Sequence, residues 1–149
     1  MSSAIERLLV EELKLVNKHL AQERVSLRKL LSMDFPYTVL KDGTIHFFRK
    51  SELQRLASML SDEEIDKLEL PIIIVMRPDI GEGIGVVEDP IAARVLAKIL
   101  GIERYQLPLY LYRPQIAELR AQFDTVIQIA IAVRLVDEDV VPGAREWLE

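Results

Sequence analysis

The chain has 149 residues, half of them apolar and 29% charged, with a net charge of −5. That is the size and balance of one folded domain rather than a disordered chain, and its overall charge repels polyanions. The absence of cysteine removes disulfides, thiolate nucleophiles and cysteine-held metal or iron–sulfur centres. No apolar run approaches the ~20 residues that span a bilayer, so no membrane segment or secretory leader is expected and a cytoplasmic location is.

Ser3 and Glu6 have the spacing of a capping box, and Ile5, Leu8, Leu9, Leu13, Val16 and Leu20 fall on one helical stripe. A first helix is predicted to about Gln22, and its leucine-rich stripe suits pairing with another subunit. Ser26 caps a short second helix through Leu27, Leu30 and Leu31, which Phe35-Pro36 should end. Tyr37 to Leu40 and Thr44 to Phe48 flank Lys41-Asp42-Gly43, the pattern of a tight hairpin, because Asp-Gly tolerates positive φ. Ser51 with Gln54, and Ser61 with Glu64, open two further amphipathic helices.

Ile72 to Met76 is short and β-branched, and reads as a central strand that is apolar on both faces. Ile84 to Val87 follows after a glycine-bearing turn. Asp89 and Pro90 then start a helix that Gly101 closes. Pro108 to Tyr112 is a short strand and Pro114 to Phe123 a helix. From Ile127 to Leu135, apolar residues alternate with Gln128, Ala130, Ala132 and Arg134 in a long strand, and an acidic tail begins at Asp137. With no repeat or linker, residues 1–149 read as one α+β domain: a mixed, mostly antiparallel sheet, amphipathic helices packed on it, and an N-terminal helical segment.

Several motifs carry little chemistry. Gly81-Glu82-Gly83-Ile84-Gly85 is not a dinucleotide fingerprint, because strand rather than helix follows, and it reads as a hairpin connection. His19 and His46 lie in no metal-ligand spacing, so no metal or cofactor is expected. Serine elbows and inward-facing carboxylate pairs are absent, and the chain is read as non-enzymatic.

Two groups of residues stand out as contact sites. Residues 20–55 hold seven Lys or Arg against four acids, a local +3 on an acidic chain. Within that segment Arg24, Arg28, Lys29, Arg49 and Lys50 are candidates for an RNA or other anion contact. The competing reading is an enzyme or sensor for a small anion, with His46, Arg49, Tyr112 and Arg113 converging on one pocket and Gln128 on a strand face with small walls.

The run Arg24 to Leu31, the hairpin Asp42 to Phe48, the strand Leu70 to Ile73 and the stretch Leu109 to Pro114 together resemble an archaeal family, domain of unknown function sixty-one. The likeness extends from about Leu20 to Ile129. It departs from the family's pattern after Asp124-Thr125, where Val126-Ile127 replace further threonines. The resemblance implies a cytosolic archaeal protein and carries no catalytic residues across. A non-enzymatic binding or interaction module is the reading that remains.

Overall fold

A computed structural model of the chain describes residues 24–40, 43–77 and 79–131. The first helix, the acidic tail and the end of the long strand expected from the sequence lie outside those residues.

In chain order the elements are β1 (Val25–Ser26), α1 (Leu27–Leu31), β2 (Tyr37–Val39), β3 (Ile45–Phe47), α2 (Lys50–Ser58) and α3 (Asp62–Lys67). They continue with β4 (Glu69–Leu70), β5 (Ile72–Met76), β6 (Ile84–Val87), α4 (Pro90–Ile99), β7 (Leu109–Tyr112), α5 (Arg113–Gln122) and β8 (Ile127–Ile131). The four-stranded sheet has the order β7-β6-β5-β8, antiparallel except for the parallel pair β5 and β8. The chain therefore has an α+β fold with open, mostly antiparallel sheets. Two small sheets accompany the large one, the hairpin β2-β3 and the two-residue pair β1-β4.

Local chemistry explains most boundaries. Ser26 Oγ accepts the Lys29 amide at the start of α1. Ser61 and Glu64 form a reciprocal capping box on α3, and Asp89 Oδ1 accepts the Ile91 and Ala92 amides ahead of Pro90. Gly101, at φ +73, takes the left-handed position after α4 that a side chain would resist.

Two boundaries differ from expectation. Helix α2 begins at Lys50, with Arg49 as its cap residue and no side-chain cap, so Ser51 lies inside the helix. The cause is tertiary: the Arg49 amide donates to Thr125 Oγ1 at 3.0 Å, and a partner 76 residues away holds the helix entry. Helix α1 ends at Leu31, ahead of Phe35-Pro36, where Ser32 Oγ donates to the Lys29 carbonyl at 2.6 Å and its amide turns back onto the same helix.

One apolar cluster joins every described helix to one face of the sheet. Leu27 and Leu30 of α1, Leu53 and Leu56 of α2, Ile65 of α3, Leu96 of α4 and Leu119 of α5 meet Ile72, Ile74, Met76 and Leu111. Each such side chain contributes about 1.5–3 kcal/mol on full burial. Gly85 lets α5 approach: a Cβ there would lie 2.7 Å from both Ile116 Cδ1 and Ile74 Cγ2.

Candidate functional site

In the hairpin β2-β3, Tyr37 pairs with Phe47, Thr38 with His46 and Val39 with Ile45. Alternation sends Thr38 and His46 inward, and Thr38 is buried. The His46 ring meets Phe48 edge-on, 4.9 Å between centroids, and Phe48 belongs to the core. Tyr37, Val39, Ile45 and Phe47 therefore all point outward, and Phe47 is 61% exposed. Phe35, just before the hairpin, is 80% exposed. Polar residues inside and apolar residues outside invert the usual pattern of a half-buried strand pair. Tyr37 and Phe47 stand 6.4 Å apart, tilted by 53°.

The inner side of the hairpin is tied to the junction between α5 and β8. Thr125 Oγ1 donates to Glu52 Oε2 at 2.5 Å, and the Thr125 amide donates to the same oxygen at 2.9 Å. His46 Nε2 lies 3.5 Å from the Thr125 carbonyl, at the outer limit of a hydrogen bond. The Arg49 guanidinium stands 3.7 Å from both Glu52 Oε1 and Asp124 Oδ2. With its side chain only 11% exposed, Glu52 is a nearly buried carboxylate that spends its lone pairs on fixed donors. The Thr125 hydroxyl both donates and accepts, which holds it in place rather than freeing it as a nucleophile. Neither Glu52 nor Thr125 was singled out from the sequence, because the two residues are 73 positions apart.

The candidate cations do not form a common free patch. Arg24 is 3.1 Å from Asp89. Arg28 is 2.8 Å from Asp66 and 3.7 Å from Asp62, and the Asp66 hydrogen bond raises its pKa further above the usual range. Lys29 and Lys50 are exposed and have no carboxylate partner among the described residues. Sequence clustering had grouped cations that folding distributes among carboxylates on α3 and at the head of α4.

Tyr112 and Arg113 sit at the opposite end of α5 from Thr125. The Tyr112 amide donates to Gln115 Oε1 at 3.1 Å, and Arg113 lies against Gly83, whose φ of +76 ends the turn before β6. A ten-residue helix rises about 15 Å, so the expected convergence of His46, Arg49, Tyr112 and Arg113 on one pocket does not occur. His46 and Arg49 share Thr125; the other two lie beside the end of the turn between β5 and β6, Tyr112 paired with Ile84 and Arg113 against Gly83. That turn is the hairpin connection read from the glycines, braced by Arg77 on Asp79 at 2.6 and 2.8 Å. Tyr110 and Tyr112 are exposed on the edge strand β7.

Gln128 pairs in register with Ile73, and its Oε1 is buried with no hydrogen-bond partner among the described residues. A cleft between α3 and α4 is lined by Ser61, Glu63, Glu64, Lys67, Ile91 and Arg94 and includes none of the candidates. Among the described residues no three His, Asp or Glu side chains are grouped to hold a metal ion, and no helix is long and apolar enough to cross a membrane.

Residues 6–131 match the family described as "Protein of unknown function DUF61". The chain is 36% identical over 122 residues to a UPF0216 protein of Pyrococcus abyssi, covering 77% of this chain and 88% of that one. To a UPF0216 protein of Methanothermobacter thermautotrophicus it is 36% identical over 129 residues, covering 87% and 94%. The solution structure of an archaeal DUF61 family protein superposes with a TM-score of 0.67 at 18% identity, covering 78% of this chain and 77% of that one. At that identity the likeness speaks for the fold alone.

Proposed function

Because the chain belongs to the DUF61 family of proteins of unknown function, its own surface has to supply the reading, and we propose a non-enzymatic interaction module that docks a partner on the outward face of β2-β3. One observation carries this: the hairpin turns its polar pair inward and presents Tyr37, Val39, Ile45 and Phe47 to solvent. Contiguous apolar surface of that kind marks interaction sites. A lone two-stranded hairpin is marginal in water, and a partner on its apolar face supplies the burial that it lacks.

The occupant is a second copy of the chain. The face carries no charged side chain, so two copies pack against each other without opposing like charges, although each chain carries −5 overall. Exposed area on these four side chains and the neighbouring Phe35 is roughly 500 Å² per copy, taking about 150–250 Å² for each aromatic in full. Two copies together then bury about 1,000 Å², the lower bound of a specific interface, which makes the association weak and dependent on concentration. RNA is the less favoured partner. Arg24 and Arg28 already face carboxylates, and Lys29 and Lys50 alone give a shallow salt dependence.

A dilution series followed by amide resonances tests the reading. Shifts at Tyr37, Val39, Ile45 and Phe47 should move together with protein concentration while those of α4 stay fixed. Concentration-independent shifts at all four positions overturn it.

A further inference from the structure

The cleft between α3 and α4 includes no residue of the hairpin or of the Thr125 network, and its charges are unevenly spent. On α4, Ile91, Arg94 and Val95 are three and four residues apart, so they share the side that faces α3. On α3, Glu63 accepts the Lys67 ammonium at 2.7 Å, one turn along the same helix. Glu64 Oε1 accepts both the Ser61 amide and the Lys98 ammonium. Arg94 is the exception. It is exposed, has no hydrogen-bond or ion-pair partner among the described residues, and acts on Glu63 only from beyond contact distance. Ser61 also keeps a proton in hand: its Oγ accepts the Glu64 amide at 3.2 Å, and the hydroxyl itself donates to no described residue. Val95 is buried and Ile91 half-buried, so apolar side chains adjoin these two unused donors.

We infer that this cleft binds a short aliphatic monocarboxylate, with the carboxylate on the Arg94 guanidinium and the Ser61 hydroxyl and the alkyl chain against Ile91 and Val95. Size sets the first limit. The cavity measures about 160 Å³, the volume of about five water molecules at ~30 Å³ each, which is too small for a nucleotide or a peptide. Chemistry sets the second. A planar guanidinium meets a carboxylate through two parallel hydrogen bonds. Charge sets the third: Glu63 and Glu64 balance Lys67 and Arg94 in the lining, and Lys98 on Glu64 adds one positive charge, so a single negative charge is matched. A phosphate dianion would bring a further charge against Glu63 and Glu64. An amine would leave both donors unused. This site stands independently of the hairpin interface.

Sodium butyrate titrated into the full isotope-labelled chain at constant ionic strength tests this, with butanol, n-butylammonium chloride and inorganic phosphate as parallel probes. The Ile91 and Val95 methyl resonances should follow a saturating curve with butyrate, half-complete in the millimolar range expected of so few ligand atoms. With the other three probes they should stay fixed or drift linearly. Arg94→Gln, at an exposed position that leaves the fold intact, should weaken butyrate binding about tenfold or more, because hydrogen bonds to a charged group are lost. Butyrate shifts that never saturate, or that Arg94→Gln leaves unchanged, overturn the inference. Saturation by butanol or phosphate as readily as by butyrate overturns it as well, since the cleft would then select for apolar bulk or for any anion.

Discussion

Thr125 gives both its hydroxyl and its amide to a single oxygen of Glu52, at 2.5 and 2.9 Å, and so pins α2 to the start of β8. The same hydroxyl accepts the Arg49 amide at 3.0 Å, which settles where α2 begins and how the hairpin enters it. Burying a carboxylate is tolerable only when fixed donors replace water, and here one residue supplies two of them.

Replacing Thr125 with valine keeps the shape and removes one donor and one acceptor. The variant should lose about 1–3 kcal/mol of stability, since Glu52 and the Arg49 amide are both left underserved. Urea unfolding should show a lower midpoint with an unchanged slope. A midpoint equal to wild type would mean that the network contributes nothing to folding.

Gly85 is small because α5 crosses directly above it. Gly85→Ala would place a methyl 2.7 Å from Ile116 Cδ1 and Ile74 Cγ2, both packed in the core. The expected loss is about 1–3 kcal/mol by overpacking, measured by thermal or urea unfolding. Ile116→Val in the same chain should recover part of it by opening space.

These two sites mark where the sequence stops being legible. The caps at Ser26, Ser61 and Asp89, the strand Ile72–Met76 and the hairpin were readable because each is written within a few residues. Thr125 with Glu52 is a tertiary pair, and nothing local to either residue announces it. Ser51 looked like a cap only because the true determinant, Thr125, is distant. The outward face of the hairpin had a signal that went unused. Tyr37 and Val39, like Ile45 and Phe47, share one parity, but which parity faces the core depends on where Phe48 anchors the strand. The basic segment misled because the acids that neutralise Arg24 and Arg28, Asp89, Asp62 and Asp66, lie in other parts of the chain.

Acid should weaken the α3 to α4 contact through Glu64. Its carboxylate accepts the Ser61 amide and the Lys98 ammonium, at 3.0 and 3.1 Å, and the Ser61 hydrogen bond chiefly holds its pKa below the usual 4.5. A depressed carboxylate adds stability above the unfolded value and loses it as pH falls through the folded one. Stability should therefore decline below about pH 4.5, and Glu64→Gln should flatten that part of the curve. A variant whose acid limb parallels the wild type would assign the decline to other carboxylates.

The central claim concerns the apolar face of β2-β3, and Phe47, 61% exposed opposite Tyr37, is the side chain to change. Phe47→Asp leaves the core and the Thr125 network untouched while setting two like charges against each other in any face-to-face pairing. Sedimentation velocity across a wide concentration range, on wild type and variant side by side, reads the outcome. The proposed docking requires a weight-average mass that climbs with concentration for the wild type and stays at the monomer for the variant. A wild type that remains monomeric throughout, or a variant that associates equally well, contradicts it.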